Sequence, residues 1–314
     1  MEGLVMSLVK QVVILCGAIS PERDVSLRSG RAVAKVLPEA RLVELEKNEI
    51  PSWLDATQHV VFPVIHGDYG EDGRVQAELE ARGIAYAGCD AQASRLCIDK
   101  VATKKIMREA GVPVIPEIAF QGSQKPSASD LMNHLGNQII IKPADKGSSV
   151  GLYVLQGLKE VETALQQLPA TGQWMAERRL MGREMSIGIL GGRALGIVEI
   201  VPKTGVYDYQ TKYTKGSTEY LYPAPLDPLL AERISRAAEK LFQAVGGRDF
   251  ARADLFLEPT GDFYFLEINT MPGMTETSLM PKSASCSGLD FAALVQRMLA
   301  PAWQRSNSIK TNPT

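Results

Sequence analysis

Apolar and polar residues alternate along Asp249–Leu257 and again along Phe263–Asn269, on either side of a turn at Pro259–Asp262. A period of two is that of a half-buried strand, so the stretch predicts an antiparallel hairpin. Side chains two apart on a strand share a face. Arg252 and Asp254 therefore point one way, and Ala253, Leu255 and Leu257 the other. On the second strand Glu267 and Asn269 share a face, with Leu266 and Ile268 expected on the core side. A register that sets Asp254 across from Glu267 opposes two carboxylates, which repel unless something positive lies between them. Two acids and an amide are hard oxygen donors of the kind Mg²⁺ takes while keeping waters and sharing substrate phosphates. A solvated polar face on an amphipathic hairpin is the plainer alternative. An arginine, two acids and an amide on one face favour a metal–phosphate site.

Elsewhere the pattern predicts strands at Gln11–Cys16, His59–Ile65 and Ala85–Gly88, with helical spacing over Ser26–Leu37 and Gly73–Arg82. Such alternation indicates a parallel sheet covered by helices. The dinucleotide fingerprint GxGxxG is missing, because GAISPE follows the first strand and HGDYGEDG spaces its glycines three apart. Asp99–Ala110 reads as a helix stopped by Gly111 and Pro113. Ile139–Lys142 and Val150–Leu155 read as strands around the loop Pro143–Ser149, followed by a helix at Val161–Leu168 and a strand at Trp174–Glu177. Strands at Met185–Leu190 and Ala194–Val201, a long polar loop at Pro202–Tyr220 and an amphipathic helix at Leu229–Val245 precede the hairpin. The tail from Ser306 is polar and is expected to fray.

At 314 residues the chain exceeds what one hydrophobic core usually supports, so two or three domains are expected. A hydrophobic content of 45% and a charged content of 22% are those of an ordinary globular protein. The net charge of −2 argues against a general nucleic-acid binder. Cys16, Cys89, Cys97 and Cys286 form no CxxC pair and no zinc-ligand spacing, which suits reduced thiols. Val12–Cys16 is too short for a membrane span or a signal core, so no membrane association and a cytoplasmic location are expected.

Several segments carry candidate chemistry. In IIIKPADKGSSVGLYVL, small residues from Gly147 to Gly151 let backbone N–H groups approach an anion, and Lys142 adds a point charge. A hairpin turn with a Gly–Ser tip is the alternative. Lys100 shares its predicted helix with Lys104 and Lys105, which alone reads as a solvated basic face. Glu177 and Arg178 lie where a strand ends. His66 closes an apolar strand, where a hydrogen-bonded structural histidine competes with a catalytic one. Glu22 follows the first strand, at the end of an open α/β sheet where ligands bind, or else serves the start of a helix.

Taken in order, SPERDVSLRSG, HGDYGEDG, Ile98–Lys100, IKPADKGSSVG, Tyr207–Tyr213 (YDYQTKY), ARADLFL and EINTMPGMTETSLMP closely resemble the D-alanine–D-alanine ligase family of the ATP-grasp superfamily. The resemblance spans nearly the whole chain. It implies an α/β fold, α+β in the ATP-binding half: an ATP-grasp fold with an N-terminal Rossmann-like domain. The divisions implied are an N-terminal substrate domain at 1–97, a central ATP-grasp subdomain at 98–181 and a C-terminal catalytic domain at 182–314. The implied activity joins two D-alanines through a D-alanyl phosphate to give D-alanyl-D-alanine, ADP and phosphate, for peptidoglycan precursor synthesis. ATP is then a co-substrate, with two Mg²⁺ ions for which Mn²⁺ substitutes, and a homodimer is expected.

The resemblance also implies roles. Lys100 and Lys142 would contact ATP phosphates beneath a loop carrying Ser148 and Ser149. Glu177, Arg178 and Leu180 would hold adenine, mainly through backbone groups, and Glu184 the ribose. Asp254, Glu267 and Asn269 would hold the metal, while Arg252 and the Gly273 N–H would receive an oxyanion. Glu22, with His66 nearby, would bind the first D-alanine's ammonium, and Ser278 the second's carboxylate. Glu22, Ser148 and Tyr213 would link three domains, with Lys212 on the same long loop, a candidate lid. Ala18, Arg95, Cys97 and Met271 depart from the family's usual residues but remove no implied ligand. A same-fold ligase with another second substrate is the nearest rival, and a non-catalytic ATP-binding scaffold a more distant one.

Overall fold

The computed structural model describes residues 10–145, 151–203, 216–275 and 277–308. Three sheets organise the chain. The first is parallel, in the order β2 (Arg41–Leu45), β1 (Gln11–Gly17), β3 (His59–Pro63). The predicted strand at Ala85–Gly88 is present only as an isolated parallel bridge from Tyr86 to Val61. Helix α1 (Arg23–Val36) packs on one face of this sheet together with the C-terminal helix α10 (Phe291–Ser308). The short α2 (Asp68–Glu71) and α3 (Arg74–Ala81) lie toward the other, where Leu15, Val61 and Leu79 are fully buried.

Helix α4 (Ala91–Ile98) leads into α5 (Lys100–Glu109) through Asp99. The Asp99 carboxylate accepts from Val101 and Ala102 N–H, both at 3.0 Å, a cap that stabilises a helix by about 1 kcal/mol and sets Lys100 at its first turn. Then come β4 (Glu117–Gln121), α6 (Ala128–Leu135), β5 (Gln138–Pro143), β6 (Tyr153–Gln156), α7 (Leu158–Gln167) and β7 (Gln173–Arg178). Their antiparallel sheet runs β4-β7-β5-β6, and α6 and α7 bury its apolar side around Leu131, Ile139 and Val161.

The largest sheet is antiparallel and takes the order β10-β9-β8-β11-β12: β8 (Arg183–Leu190), β9 (Arg193–Pro202), β10 (Thr218–Leu221), β11 (Phe250–Leu257) and β12 (Phe263–Asn269). Helix α8 (Pro228–Ala244) covers its core face, and α9 (Leu279–Cys286) packs against β8 and β9. Asp227 caps α8 ahead of Pro228, a residue suited to the first helical position because the missing N–H would be unpaired there anyway. One core joins this sheet to Cys89, Ala93, Cys97 and Met107, so α4 and α5 brace the hairpin from below.

The hairpin has the expected register, with Arg252 opposite Asn269 and Asp254 opposite Glu267, and then shifts by one residue between Asp254 and Leu255. Leu266 is the extra residue of this bulge, half-buried instead of core-facing as the alternation predicted. The reason is a phase conflict. Phe263 and Phe265 face the core, and strict alternation would send Glu267 after them. Adding one residue reverses the phase, so Ile268 is buried while Glu267 and Asn269 reach the opposite face. The C-terminus differs from expectation as well. Helix α10 continues through Ser306, which is fully buried and whose carbonyl accepts from Lys10 Nζ at 2.9 Å.

Candidate active site

One cavity of about 170 Å³ is walled by residues from all along the chain. Its lining includes Glu22 and His66 from the segments after β1 and β3, Lys100 from α5, Arg252, Asp254, Glu267 and Asn269 from the hairpin, and Gly273 and Ser278 beyond it. Residues more than 200 positions apart thus line one cavity, in the grouping that the family resemblance implied.

On the hairpin, Asp254 is held from two sides. Arg252 forks onto it, and the Ser186 hydroxyl, directly opposite on β8, donates to Oδ1 at 2.6 Å. Across the strand pair, Lys100 Nζ stands 3.5 Å from the Glu267 carboxylate. The two opposed carboxylates therefore each face a cation, as their mutual repulsion requires. Asn269 Oδ1 accepts from Met271 N–H at 2.8 Å, which fixes the amide with its oxygen oriented by the following turn. Two carboxylates and an amide oxygen on one sheet face are a donor set that fits a hard divalent cation.

At the N-terminal wall, Ser26 ties the loop after β1 to β3. It accepts from Gly17 N–H at 2.7 Å and donates to the Val64 carbonyl at 2.6 Å. This holds Glu22 just ahead of α1. Ala18 takes a left-handed φ of 68°, a strain a glycine there would relieve. His66 is buried, with Nε2 3.2 Å from Ser29 Oγ and Nδ1 3.7 Å from Glu71, so the imidazole is oriented from both sides. Ser29 also accepts from Met274 N–H at 3.2 Å, which joins α1 directly to the loop after the hairpin.

That loop is tightly built. Ser278 Oγ accepts from Thr275 N–H at 3.0 Å, and a Cβ on Gly273 would lie 2.8 Å from the same oxygen. Ser278 precedes α9 without capping it through its side chain, and it lines the cavity with Leu279 at the helix N-terminus. Cys97 is a neutral wall residue, since burial pushes its thiol well above the ordinary range.

Of the other predicted ATP residues, Lys142, Glu177, Arg178 and Glu184 lie outside that cavity on the two antiparallel sheets, and Leu180 lies just past β7. Lys142 Nζ is 2.6 Å from Glu177, which is buried at the end of β7. Arg178 reaches Glu258 at 3.2 Å and lies over the Tyr264 ring, while Leu180 is buried. Glu184 on β8 shares the Ser186 face, opposite Phe256. Ser148, Ser149, Lys212 and Tyr213 fall outside the described residues, as does most of the candidate lid.

Sequence reasoning missed Arg28, Ser29, Ser186, Thr275 and Lys104. Val25, Arg28 and Ser29 follow Glu22 at helical spacing, so the inward stripe of α1 was available from periodicity. Lys104 was expected on a solvated face with Lys105, yet its side chain is fully buried and only Lys105 is exposed. Composition cannot separate two adjacent lysines that a helix turns to different sides.

Comparison with known proteins identifies the family. The family described as D-ala D-ala ligase C-terminus matches residues 106–300, and D-ala D-ala ligase N-terminus matches residues 44–89. The D-alanine–D-alanine ligase of Syntrophotalea carbinolica is 39% identical over 301 residues, covering 93% of this chain and 96% of that one. The Bacillus anthracis D-alanine–D-alanine ligase complexed with ATP superposes with a TM-score of 0.80 at 25% identity, covering 96% of this chain and all of that one. The VanG D-Ala:D-Ser ligase of Enterococcus faecalis gives 0.81 at 26% identity, covering 93% and 99%. With its α/β architecture, its two antiparallel sheets and these relatives, the chain belongs to the D-alanine–D-alanine ligase family and has the ATP-grasp fold.

Proposed function

We propose that the chain is an ATP-dependent ligase that joins two D-alanines into D-alanyl-D-alanine for peptidoglycan precursor synthesis. The observation that carries this reading is that Glu22 and His66 line one cavity with Arg252, the acids of the hairpin, Gly273 and Ser278. A carboxylate for an ammonium, a cationic face for developing negative charge and a helix N-terminus for a carboxylate are what such a reaction needs.

The chemistry sets the roles. A carboxylate has no viable leaving group, so an oxygen of the first D-alanine attacks the γ-phosphorus of ATP and ADP leaves. Phosphoryl transfer asks mainly for positioning and charge neutralisation, which Lys100 and Lys142 supply. Asp254, Glu267 and Asn269 would hold Mg²⁺ or Mn²⁺, which when bound neutralises phosphate oxygens. The second amine then attacks the acyl carbonyl, and Arg252 with the Gly273 N–H receives the oxyanion before phosphate departs. Glu22, which lines the same cavity as His66, holds the first ammonium, and Ser278 the second carboxylate.

Adenine is assigned to the backbone around Glu177, Arg178 and Leu180, and ribose to Glu184. Ser148, Ser149, Lys212 and Tyr213 keep the roles inferred from the motifs. The reading also includes the three-domain division at 1–97, 98–181 and 182–314, a homodimer and a cytoplasmic location. Among the described residues no helix is long and apolar enough to cross a membrane. The solved likenesses include ligases named for D-Ala and for D-Ser acceptors at nearly equal TM-scores, so the fold does not choose the acceptor. Product masses from ATP and D-alanine, with D-serine and D-lactate as competing acceptors, test that choice. D-alanyl-D-alanine as the main product supports it; a dominant mixed product contradicts it.

A further inference from the structure

Three charged side chains meet beneath the ATP-binding half, and the reaction as described uses one of their charges. Glu177 is 2% exposed, and its carboxylate faces two ammonium groups. Oε2 lies 2.6 Å from Lys142 Nζ, and Oε1 pairs with Lys104 Nζ. Lys104 stands one turn after Lys100 on α5, and its side chain has no exposed surface. Lys142 comes from β5 and keeps 15% exposure, so it is the member of the cluster nearest solvent. One turn further along α5, Arg108 pairs with Glu117, which lies on β4 opposite Glu177.

The arithmetic of this cluster is asymmetric. One lysine would suffice to neutralise the glutamate. Two lysines leave a net charge of about +1, and it resides at the member that reaches outward. Both partners of the inner pair are ionised at neutral pH. Burial pulls Lys104 down only to about 8. Burial pushes the Glu177 carboxyl up, but Lys142 and Lys104 outweigh it and hold it at about 2.

We propose that Lys104 is a positioning residue for nucleotide binding, which compensates Glu177 so that Lys142 can offer its charge to a phosphate oxygen. Without Lys104, the buried carboxylate would hold Lys142 as its only counter-ion. Turning Lys142 to a phosphate would then strand a charge in the interior. Lys104 thus acts without touching ATP. This inference rests on the reading of Lys142 as a phosphate contact.

A cycle of K104M, E177Q, K104M/E177Q and K142M in the full-length chain separates the two claims. Affinities for ADP and adenosine are measured by calorimetry, and KM for ATP and D-alanine by phosphate release. The expected result for K104M is a loss of about tenfold or more in ADP affinity and a matching rise in KM for ATP. Adenosine affinity and the KM for D-alanine stay near wild type. In the E177Q background, where nothing needs compensating, the same lysine change has little effect. Equal losses for ADP and adenosine in K104M, or an equal ADP loss in the E177Q background, would overturn the proposal. Should K104M not fold, E177Q against K104M/E177Q decides alone: equal ADP affinity supports the proposal, and a tenfold difference refutes it. Unchanged ADP affinity in K142M would instead remove the phosphate reading itself.

Discussion

The guanidinium of Arg252 forks onto the carboxylate of Asp254 two residues along the same strand, with Nε 2.9 Å from Oδ1 and a terminal nitrogen 2.7 Å from Oδ2. The proposed reaction assigns these side chains different partners, a carbonyl oxygen for Arg252 and a cation for Asp254. The fork aligns both on the site-facing side of β11 before substrates enter, and Ser186 holds the acid from the neighbouring strand. Were Asp254 to hold a divalent cation, the fork would have to loosen, and Arg252 would then be available to the acyl group.

Arg252→Ala is therefore expected to fold and to lose about two to three orders of magnitude in kcat, the usual effect of removing one oxyanion donor. Its thermal unfolding curve checks the fold, and saturating phosphate release checks the rate. Near-native turnover would remove Arg252 from the oxyanion site.

Glu267→Gln keeps the shape of the hairpin and removes one hard anionic donor. The Mg²⁺ concentration for half-maximal activity should rise by about tenfold or more, and Lys100 loses the carboxylate that stands 3.5 Å away. A metal titration at saturating ATP reads this directly. An unshifted titration would place the metal elsewhere.

Gly273→Ala puts a methyl group 2.8 Å from Ser278 Oγ, closer than the two atoms can rest. Strain of this kind costs about 1–3 kcal/mol, here met by moving the Ser278 hydroxyl. The predicted signature is a raised KM for the acceptor D-alanine with ATP affinity unchanged. An equal change in both would show a general loss of structure.

The hairpin was the most legible part of the chain, because two alternating runs and one turn leave few registers that bury the apolar set. The bulge at Leu266 was legible in principle: Phe263 and Phe265 are out of phase with Ile268, and only an added residue reconciles them. His66 and Ser29 were harder. Their hydrogen bond joins two elements far apart in sequence, and no local pattern encodes it. Lys104 was the clearest miss, since a lysine's burial depends on Glu177, 73 residues away, being buried opposite it.

The Glu177 cluster also predicts how stability depends on acid. The folded carboxyl titrates at about 2, against an ordinary 4.5. A depressed acid contributes stability that is complete above the ordinary value and is lost as pH falls through the folded one. The window is therefore pH 4.5 down to about 2, and the loss on the order of 3 kcal/mol. Urea midpoints between pH 6 and pH 3 should fall more steeply for the wild type than for Glu177→Gln. Parallel curves would contradict the assignment.

The central claim is that ATP activates a carboxylate in this cavity. D-alanine labelled with ¹⁸O in its carboxyl group, incubated with ATP and Mg²⁺, tests it most directly. An acyl phosphate intermediate passes a carboxyl oxygen to phosphorus, so the released phosphate should carry a single ¹⁸O while D-alanyl-D-alanine accumulates in equal amount. Unlabelled phosphate, formed as water hydrolyses ATP, would contradict the account.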